Sequence, residues 1–161
     1  MTFTIQVEGI KELIAQLDKA PKNAEKVAAK ALYEGAGVMA DAVSQAVQGI
    51  ATEPFKYARG GKTRKPSPEE KALIESARHG VAKFRNNGVS VNTSVGLQNA
   101  GYGQLGNKTK PIPQIANAIN SGTSFMQKQP FLRKAFSKSK GAAEAAIEAA
   151  IKKYEDELEI G

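Results

Sequence analysis

The chain has 161 residues, and its 23 Lys and Arg residues outnumber its 16 Asp and Glu residues, which gives a formal net charge of +7. This length fits a single domain, residues 1–161, with one core of modest size. Because the sequence contains no cysteine, disulfides and metal sites built on thiolates are excluded. Neither a signal peptide nor an apolar stretch near the roughly 20 residues of a membrane span is visible, so we expect a protein without membrane contact.

The positive charge is concentrated in the middle of the chain. Residues 81–140 contain nine basic residues and no acidic residue, whereas residues 141–161 contain two basic and six acidic residues. A block without carboxylates favours contact with a polyanion or an acidic protein surface. A solvated face that keeps the protein soluble explains the same charges, and both interpretations stay open.

The N-terminal third predicts a strand and two helices. Apolar and polar residues alternate over 2–8, which predicts a half-buried strand. Apolar residues at helical spacing over 10–17 predict a short amphipathic helix that ends near Pro21.

A long helix over 22–48 is predicted next, because Ala, Gly and Val recur at spacings of three and four residues. Gly35 and Gly37 lie inside it, and each costs about 1 kcal/mol relative to Ala. We therefore expect a close packing contact or a bend at these two positions.

Residues 49–66 predict a mobile basic loop or arm, since they are rich in Gly and Pro and poor in apolar residues. Its basic residues, which are candidate contacts to DNA or to a neighbouring subunit, are Lys56, Arg59, Lys62, Arg64 and Lys65. A helix is predicted to begin directly afterwards and to end at Gly80. Ser67 can cap it, Pro68 suits its first position, and the acidic residues that follow oppose the positive end of its dipole.

The second half predicts a hairpin, a loop and a short helix. Residues 89–97 alternate, and the turn Asn86-Asn87-Gly88 predicts that they pair with a strand near 81–84. Residues 100–113 are rich in Gly, Lys and Pro and are predicted to form a second loop, in which Lys108 and Lys110 are further candidate contacts. A short helix is predicted over 115–119.

Residues 130–158 are predicted to form a C-terminal helical segment. Its first turn contains four candidate packing or interface anchors, of which seating the helix on the core is the favoured role: Pro130, Phe131, Leu132 and Phe136. A polar joint at 137–141 is predicted to precede a long amphipathic helix with an acidic end. Acidic residues at a helix C-terminus oppose the dipole, so we expect the last turn to fray or to meet a basic partner.

Together these elements predict an α+β fold. A small antiparallel sheet is expected to pack against a long Ala-rich helix and a C-terminal helix, with extended loops between the elements.

The sequence offers no arrangement of residues that is typical of catalysis. His79 is the only histidine, which leaves no pair of histidines for a metal site or a catalytic triad. Gly61-Lys62-Thr63 matches the end of a phosphate-binding loop, but Lys56 stands where that motif needs its first Gly. We therefore expect no enzymatic activity, no cofactor and no metal ion.

The order of several landmarks resembles the gene-product-ten-like family of siphophage head–tail connection proteins, which are also called neck or tail-completion proteins. The landmarks are the strand-Gly-helix opening around Val7-Glu8-Gly9-Ile10, the long Ala-rich helix, the strand pair, Gly122-Thr123-Ser124, and Gln129-Pro130-Phe131-Leu132 leading into the last helix. The most specific of them is Pro130-Phe131-Leu132.

The resemblance implies a structural virion protein that assembles in the host cytoplasm and resides in the neck or tail. Such subunits form a homo-oligomeric ring, typically a hexamer, between the head-closure complex and the tail-terminator or tail-tube proteins. DNA passes through the lumen without sequence recognition.

Two alternatives are retained. One is a tail-terminator or minor tail protein of an adjacent layer. The other is a small cytosolic protein that binds nucleic acid without sequence specificity, since the lysines and arginines of 49–66 surround Phe55 and Tyr57 and suit phosphate contacts.

Overall fold

The computed structural model describes residues 3–5, 21–57, 60–77, 80–81, 85–86, 91–97 and 100–159. The helices in these ranges are α1 (Pro21–Gln48), α2 (Pro68–Ser76), α3 (Ile112–Ser121) and α4 (Phe131–Glu159). The strands are β1 (Phe3–Ile5), β2 (Gly80–Val81), β3 (Arg85–Asn86), β4 (Val91–Gly96), β5 (Tyr102–Leu105) and β6 (Lys108–Pro111). No described helix is both long and apolar enough to cross a membrane. The helix predicted over 10–17 lies outside the described residues.

The two long helices, α1 and α4, pack against each other in antiparallel fashion. Near the start of α1, Leu32 shares a buried cluster with Ile147 from the second half of α4, whereas Val43, near the end of α1, clusters with Phe131 at the start of α4. Gly35 permits this approach, because a Cβ added there would lie 2.5 Å from Cγ1 of Ile147. The expected close contact is thus confirmed at Gly35, whereas a Cβ at Gly37 would meet nothing within 4 Å.

The sheet is built around β4, as predicted from the alternation of 89–97. β1 pairs with β4 in antiparallel register, with Phe3 opposite Val95. β2 and β3 also pair with β4 in antiparallel register, with Val81 opposite Val95 and Asn86 opposite Val91. Val95 is fully buried and clusters with Ala36 of α1 and Ala143 of α4. The predicted α+β fold, with its sheet on the two long helices, is therefore confirmed.

The remaining core lies where α2 and α3 cover the end of α1. Ile74 of α2, Ile119 of α3 and Val47 of α1 are each fully buried in this cluster. α3 begins three residues earlier than predicted, because Ile112 continues its apolar stripe and a proline in the first turn costs no intrahelical hydrogen bond. Gly122 then ends α3 with a φ of +78°, a conformation that favours glycine.

Three further predictions are wrong. Residues 100–113 do not form a loop but the hairpin β5–β6, which turns at Gly106 with a φ of +58°. Its second strand, Lys-Thr-Lys-Pro, has exposed or half-exposed side chains throughout, so no alternation reveals it. The polar joint predicted at 137–141 is continuous helix, in which Ser139 Oγ donates to the Ala135 carbonyl. α2 ends at Ser76 because Ala77 adopts an extended backbone.

Candidate interaction surface: a basic arm held at its base

Residues 51–66, here called the arm, leave α1 and return to α2, and a glutamine from a distant part of the chain fixes where they start. The Ala51 N–H donates to Oε1 of Gln129, and Nε2 of Gln129 donates to the Ala51 carbonyl, both at 2.9 Å. The Gln129 N–H in turn donates to the Ile119 carbonyl at 2.8 Å. The start of the arm is therefore tied to α3 and to the connection between α3 and α4.

The two ends of the arm are also bonded to each other. The Glu53 N–H donates to the Pro66 carbonyl at 3.0 Å, and the Lys65 N–H donates to Oε1 of Glu53 at 2.7 Å. Pro66 itself is fully buried. Such closure between the ends is typical of an Ω-loop, whose middle projects from a fixed base.

A buried ion pair holds the returning end of the arm. The Arg64 guanidinium donates to both carboxylate oxygens of Glu70 at 2.7 Å, and the two side chains are only 9% and 8% exposed. The Arg64 backbone also bridges to a neighbouring segment, because its N–H donates to the Phe125 carbonyl at 2.9 Å and its carbonyl accepts from the Gln127 N–H at 2.7 Å. Arg64 is thus held through both its side chain and its backbone.

Glu70 caps α2 as well as pairing with Arg64. The Ser67 N–H donates to Oε2 of Glu70 at 2.8 Å, and the Glu70 N–H donates to Ser67 Oγ at 3.2 Å, which together form a capping box. The predicted helix start at Ser67 is therefore confirmed, and the same carboxylate joins the helix to the arm.

The charges around Glu70 shift the pKa of its carboxyl group downward. Burial by itself would raise this pKa, but the hydrogen bonds from Arg64 and Ser67, together with the positive charges of Arg64 and Lys110, outweigh that effect. The hydrogen bond to Glu70 also raises the pKa of Arg64, against the opposing effect of burial. Both groups are therefore charged at neutral pH.

The middle of the arm presents aromatic and basic side chains to solvent. Phe55 is 55% exposed and Tyr57 is 79% exposed, and their rings meet edge to face with centroids 5.1 Å apart. The Arg64 guanidinium lies over the Phe55 ring at 4.9 Å, which connects this exposed pair to the buried ion pair. Lys56 and Lys62 are exposed beside the aromatic pair in sequence.

The hairpin β5–β6 brings a second basic segment against α2. It approaches closely because Gly103 has no side chain, and a Cβ added there would lie 2.6 Å from Cδ1 of Leu73. Lys110 is near enough to Glu70 for its charge to lower the Glu70 pKa. Lys108 and Lys110 are exposed. The arm and the hairpin therefore both lie against α2, a proximity of two basic segments that the sequence alone did not reveal.

The predicted contact residues separate into exposed and buried groups. The lysines of this set are all exposed: Lys56, Lys62, Lys65, Lys108 and Lys110. Arg64 is the exception, and we exclude it from the contact surface because its guanidinium is buried against Glu70. Arg59 and His79 lie outside the described residues.

The predicted anchors at the start of α4 have a packing role. Phe131 and Leu132 are 4% and 3% exposed and belong to the core cluster with Ile119. Asn120 of α3 accepts the Leu132 N–H at 3.2 Å and so caps α4 from outside. Pro130 and Phe136 are half-buried. This arrangement agrees with the favoured interpretation that these residues seat α4 on the core.

Gly122-Thr123-Ser124 also has a local structural role. After Gly122 ends α3, Thr123 Oγ1 accepts the backbone N–H groups of Phe125 and Met126 at 3.3 and 2.9 Å. The turn leads to Met126, whose backbone forms an isolated parallel β-bridge with that of Arg64. This motif therefore helps to position the base of the arm.

Within the described residues, no group of three or more His, Asp or Glu side chains is placed to hold a metal ion. No protein-family model matches the chain, and neither a curated protein nor a solved structure shows significant similarity to it.

Proposed function

We propose that this chain is a structural subunit of a tailed-phage neck, with no catalytic activity. In this role it is a tail-completion protein that forms a ring, joins the tail to the head-closure complex and surrounds the DNA channel. The structural observation that carries the proposal is the arm: a fixed base with an exposed middle that combines lysines and aromatic rings. The order of the sequence landmarks supports the same role.

A fixed base matters for such a subunit because ordering a free loop on assembly costs conformational entropy. The bonds of Gln129, Glu53 and Arg64 restrict where the arm leaves the body before any partner arrives. Lysines on the projecting part attract phosphates without reading base sequence, which suits DNA that moves through a lumen.

Electron microscopy of particles assembled without the chain tests the proposal. We expect filled heads and separate tails, and we expect joined particles to return when the wild-type chain is supplied in trans. The Glu144→Gln variant, which is changed only on the exposed side of α4, serves as a control for the added chain and should restore the joining of heads to tails. Normal particles in the absence of the chain would refute the neck role.

The exposed pair Phe55 and Tyr57 also favours a second candidate, which is binding of single-stranded nucleic acid without sequence specificity. Aromatic rings stack on bases and lysines contact phosphates, so each supplies part of such a site. A gel shift with the purified chain at low and moderate salt tests it. Binding that weakens with salt and is lost in Phe55→Ala/Tyr57→Ala, but not in Tyr33→Ala, supports this function, and no shift at low salt excludes it.

A further inference from the structure

A second surface of the molecule is an open groove with a volume of about 720 Å³ between the second half of α1 and the first turns of α4. Small apolar side chains line its floor, among them Ala42, Ala46 and Ala135, while Asp41, Lys134 and Lys138 supply charge at its walls. The three charged residues are exposed. The groove therefore combines an accessible apolar floor with a net positive wall.

The charges of α4 are distributed against its own dipole at both ends. Residues 131–140 contain four basic residues and no acidic one, and residues 155–159 contain four acidic residues and no basic one. A helix favours the opposite arrangement, because its N-terminus is partially positive and its C-terminus partially negative. Acidic groups from another molecule would therefore stabilise the N-terminal end of α4, and basic groups would stabilise its C-terminal end.

We propose that the groove binds the acidic end of α4, residues 155–159, from a second copy of this chain. Lys134 and Lys138 face the acidic residues of the incoming helix. The groove lining has two lysines and one aspartate, whereas residues 155–159 have four acidic residues and no basic one, so the two surfaces carry opposite net charge.

A single chain cannot make this contact with itself. Asp156 lies 22 residues after Lys134 in one continuous helix, which places them about 33 Å apart at 1.5 Å per residue. The groove of one copy must therefore take the helix end of another. Because the two surfaces differ, the contact is heterologous and generates a ring or a filament, depending on the rotation between copies. This inference rests on the proposed function, for which it names the two surfaces that join neighbouring subunits.

Cysteine cross-linking tests the contact directly, since the chain has no cysteine of its own. Gln45 lines the groove and is exposed. We expect the double variant Gln45→Cys/Asp156→Cys to form a ladder of covalent oligomers on oxidation. Intramolecular closure is excluded, because a disulfide needs Cα atoms within about 7 Å. The control Gln114→Cys/Asp156→Cys, with one thiol on the exposed side of α3 and outside the groove lining, should remain largely monomeric.

Charge reversal provides an independent test by sedimentation velocity at low salt. Lys134→Glu/Lys138→Glu reverses the charge of the groove, and Glu155→Lys/Asp156→Lys/Glu159→Lys changes the net charge of residues 155–159 from −4 to +2. Each variant should weaken self-association by about tenfold or more, because like charges then face each other. A mixture of the two variants should associate again, since each groove then meets a helix end of opposite charge. Lys26→Glu/Lys128→Glu reverses two exposed lysines that lie outside both the groove lining and the arm, and it should associate as the wild type does.

The outcomes separate this contact from the neck role. The groove contact is wrong if Gln45→Cys/Asp156→Cys yields no more oligomer than its control, or if the mixture fails to recover association. If phage joining still requires the chain in that case, the neck role stands without this contact. If the ladder forms but phage join normally without the chain, the self-contact stands and the neck role is refuted.

Discussion

Replacing Glu70 by Gln tests how firmly the arm is held at its base. The Glu70 carboxylate accepts three hydrogen bonds, two from the Arg64 guanidinium at 2.7 Å and one from the Ser67 N–H at 2.8 Å. An amide of the same shape offers one oxygen and turns an NH₂ group towards donors. The change therefore removes at least one charge-assisted bond and leaves the buried Arg64 with only the weaker influence of the Glu53 charge.

The expected cost follows from burial. Loss of one hydrogen bond to a charged group costs about 1.5–3 kcal/mol, and loss of one partner of a buried pair costs about 3–5 kcal/mol. Because both side chains retain slight exposure, 9% and 8%, we expect Glu70→Gln to lower the free energy of unfolding by about 3 kcal/mol, at the lower end of that range. Urea denaturation followed by circular dichroism measures this quantity.

A matched control is available on α4, where Glu144 pairs with Lys140 at 3.8 Å and both side chains are well exposed. The same change, Glu144→Gln, should cost less than about 0.5 kcal/mol. A double-mutant cycle with Arg64→Met should give a coupling free energy of about 2 kcal/mol between Arg64 and Glu70. If Glu70→Gln costs no more than Glu144→Gln, the ion pair does not hold the arm and the reasoning fails.

Three further predictions concern pH, helix packing and the start of the arm. The pKa of the Glu70 carboxyl group in the folded protein is lowered from its ordinary value of 4.5. The Glu70 carboxylate therefore contributes to stability above pH 4.5, and this contribution is lost as the pH falls through the folded pKa. Below about pH 4.5 the free energy of unfolding should fall more steeply in the wild type than in Glu70→Gln. Gly35→Ala places a methyl group 2.5 Å from Ile147 Cγ1 and 3.1 Å from the Ala143 carbonyl oxygen, and it should destabilise the fold by about 1–3 kcal/mol. Gly37→Ala has open space around the new methyl group and should stabilise the fold by up to about 1 kcal/mol. Thermal denaturation checks this pair, since the melting temperature should fall in the first variant and rise in the second. Gln129→Ala removes both bonds to Ala51 and should speed amide hydrogen exchange at Ala51 while leaving exchange in the middle of α1 unchanged; equal rates at Ala51 in both proteins would contradict the role assigned to Gln129.

Elements whose signals are local were predicted well. The start of α2 needs only Ser67, Pro68 and Glu70, which lie within one turn of each other, and the capping box forms as expected. The strand β4 likewise follows from the alternation of adjacent residues, whereas Asn86, which was predicted in the turn, pairs with Val91 in β3. The long helices follow from apolar spacing, and the close contact at Gly35 follows from the cost of a glycine inside a helix.

Elements that depend on partners distant in sequence were missed. The hairpin β5–β6 has no apolar alternation in its second strand, and only its approach to α2 through Gly103 reveals why it lies there. The sequence favours an exposed Arg64, because a basic residue in a polar segment is usually solvated. Its burial depends on Glu70 together with backbone bonds to Phe125 and Gln127, more than 60 residues later along the chain.

Gln129 connects the two surfaces described above. Its side chain fixes Ala51 at the start of the arm, and it also belongs to the lining of the groove. A helix end that fills the groove therefore lies against the group that positions the arm. In the proposed contact, binding there would shield the Gln129–Ala51 bonds from water and strengthen them, because the local dielectric would be lower. Assembly through the groove would then reduce the freedom of the arm of the same subunit, and slower exchange at Ala51 in the associated protein than in the monomeric Lys134→Glu/Lys138→Glu variant would reveal that link.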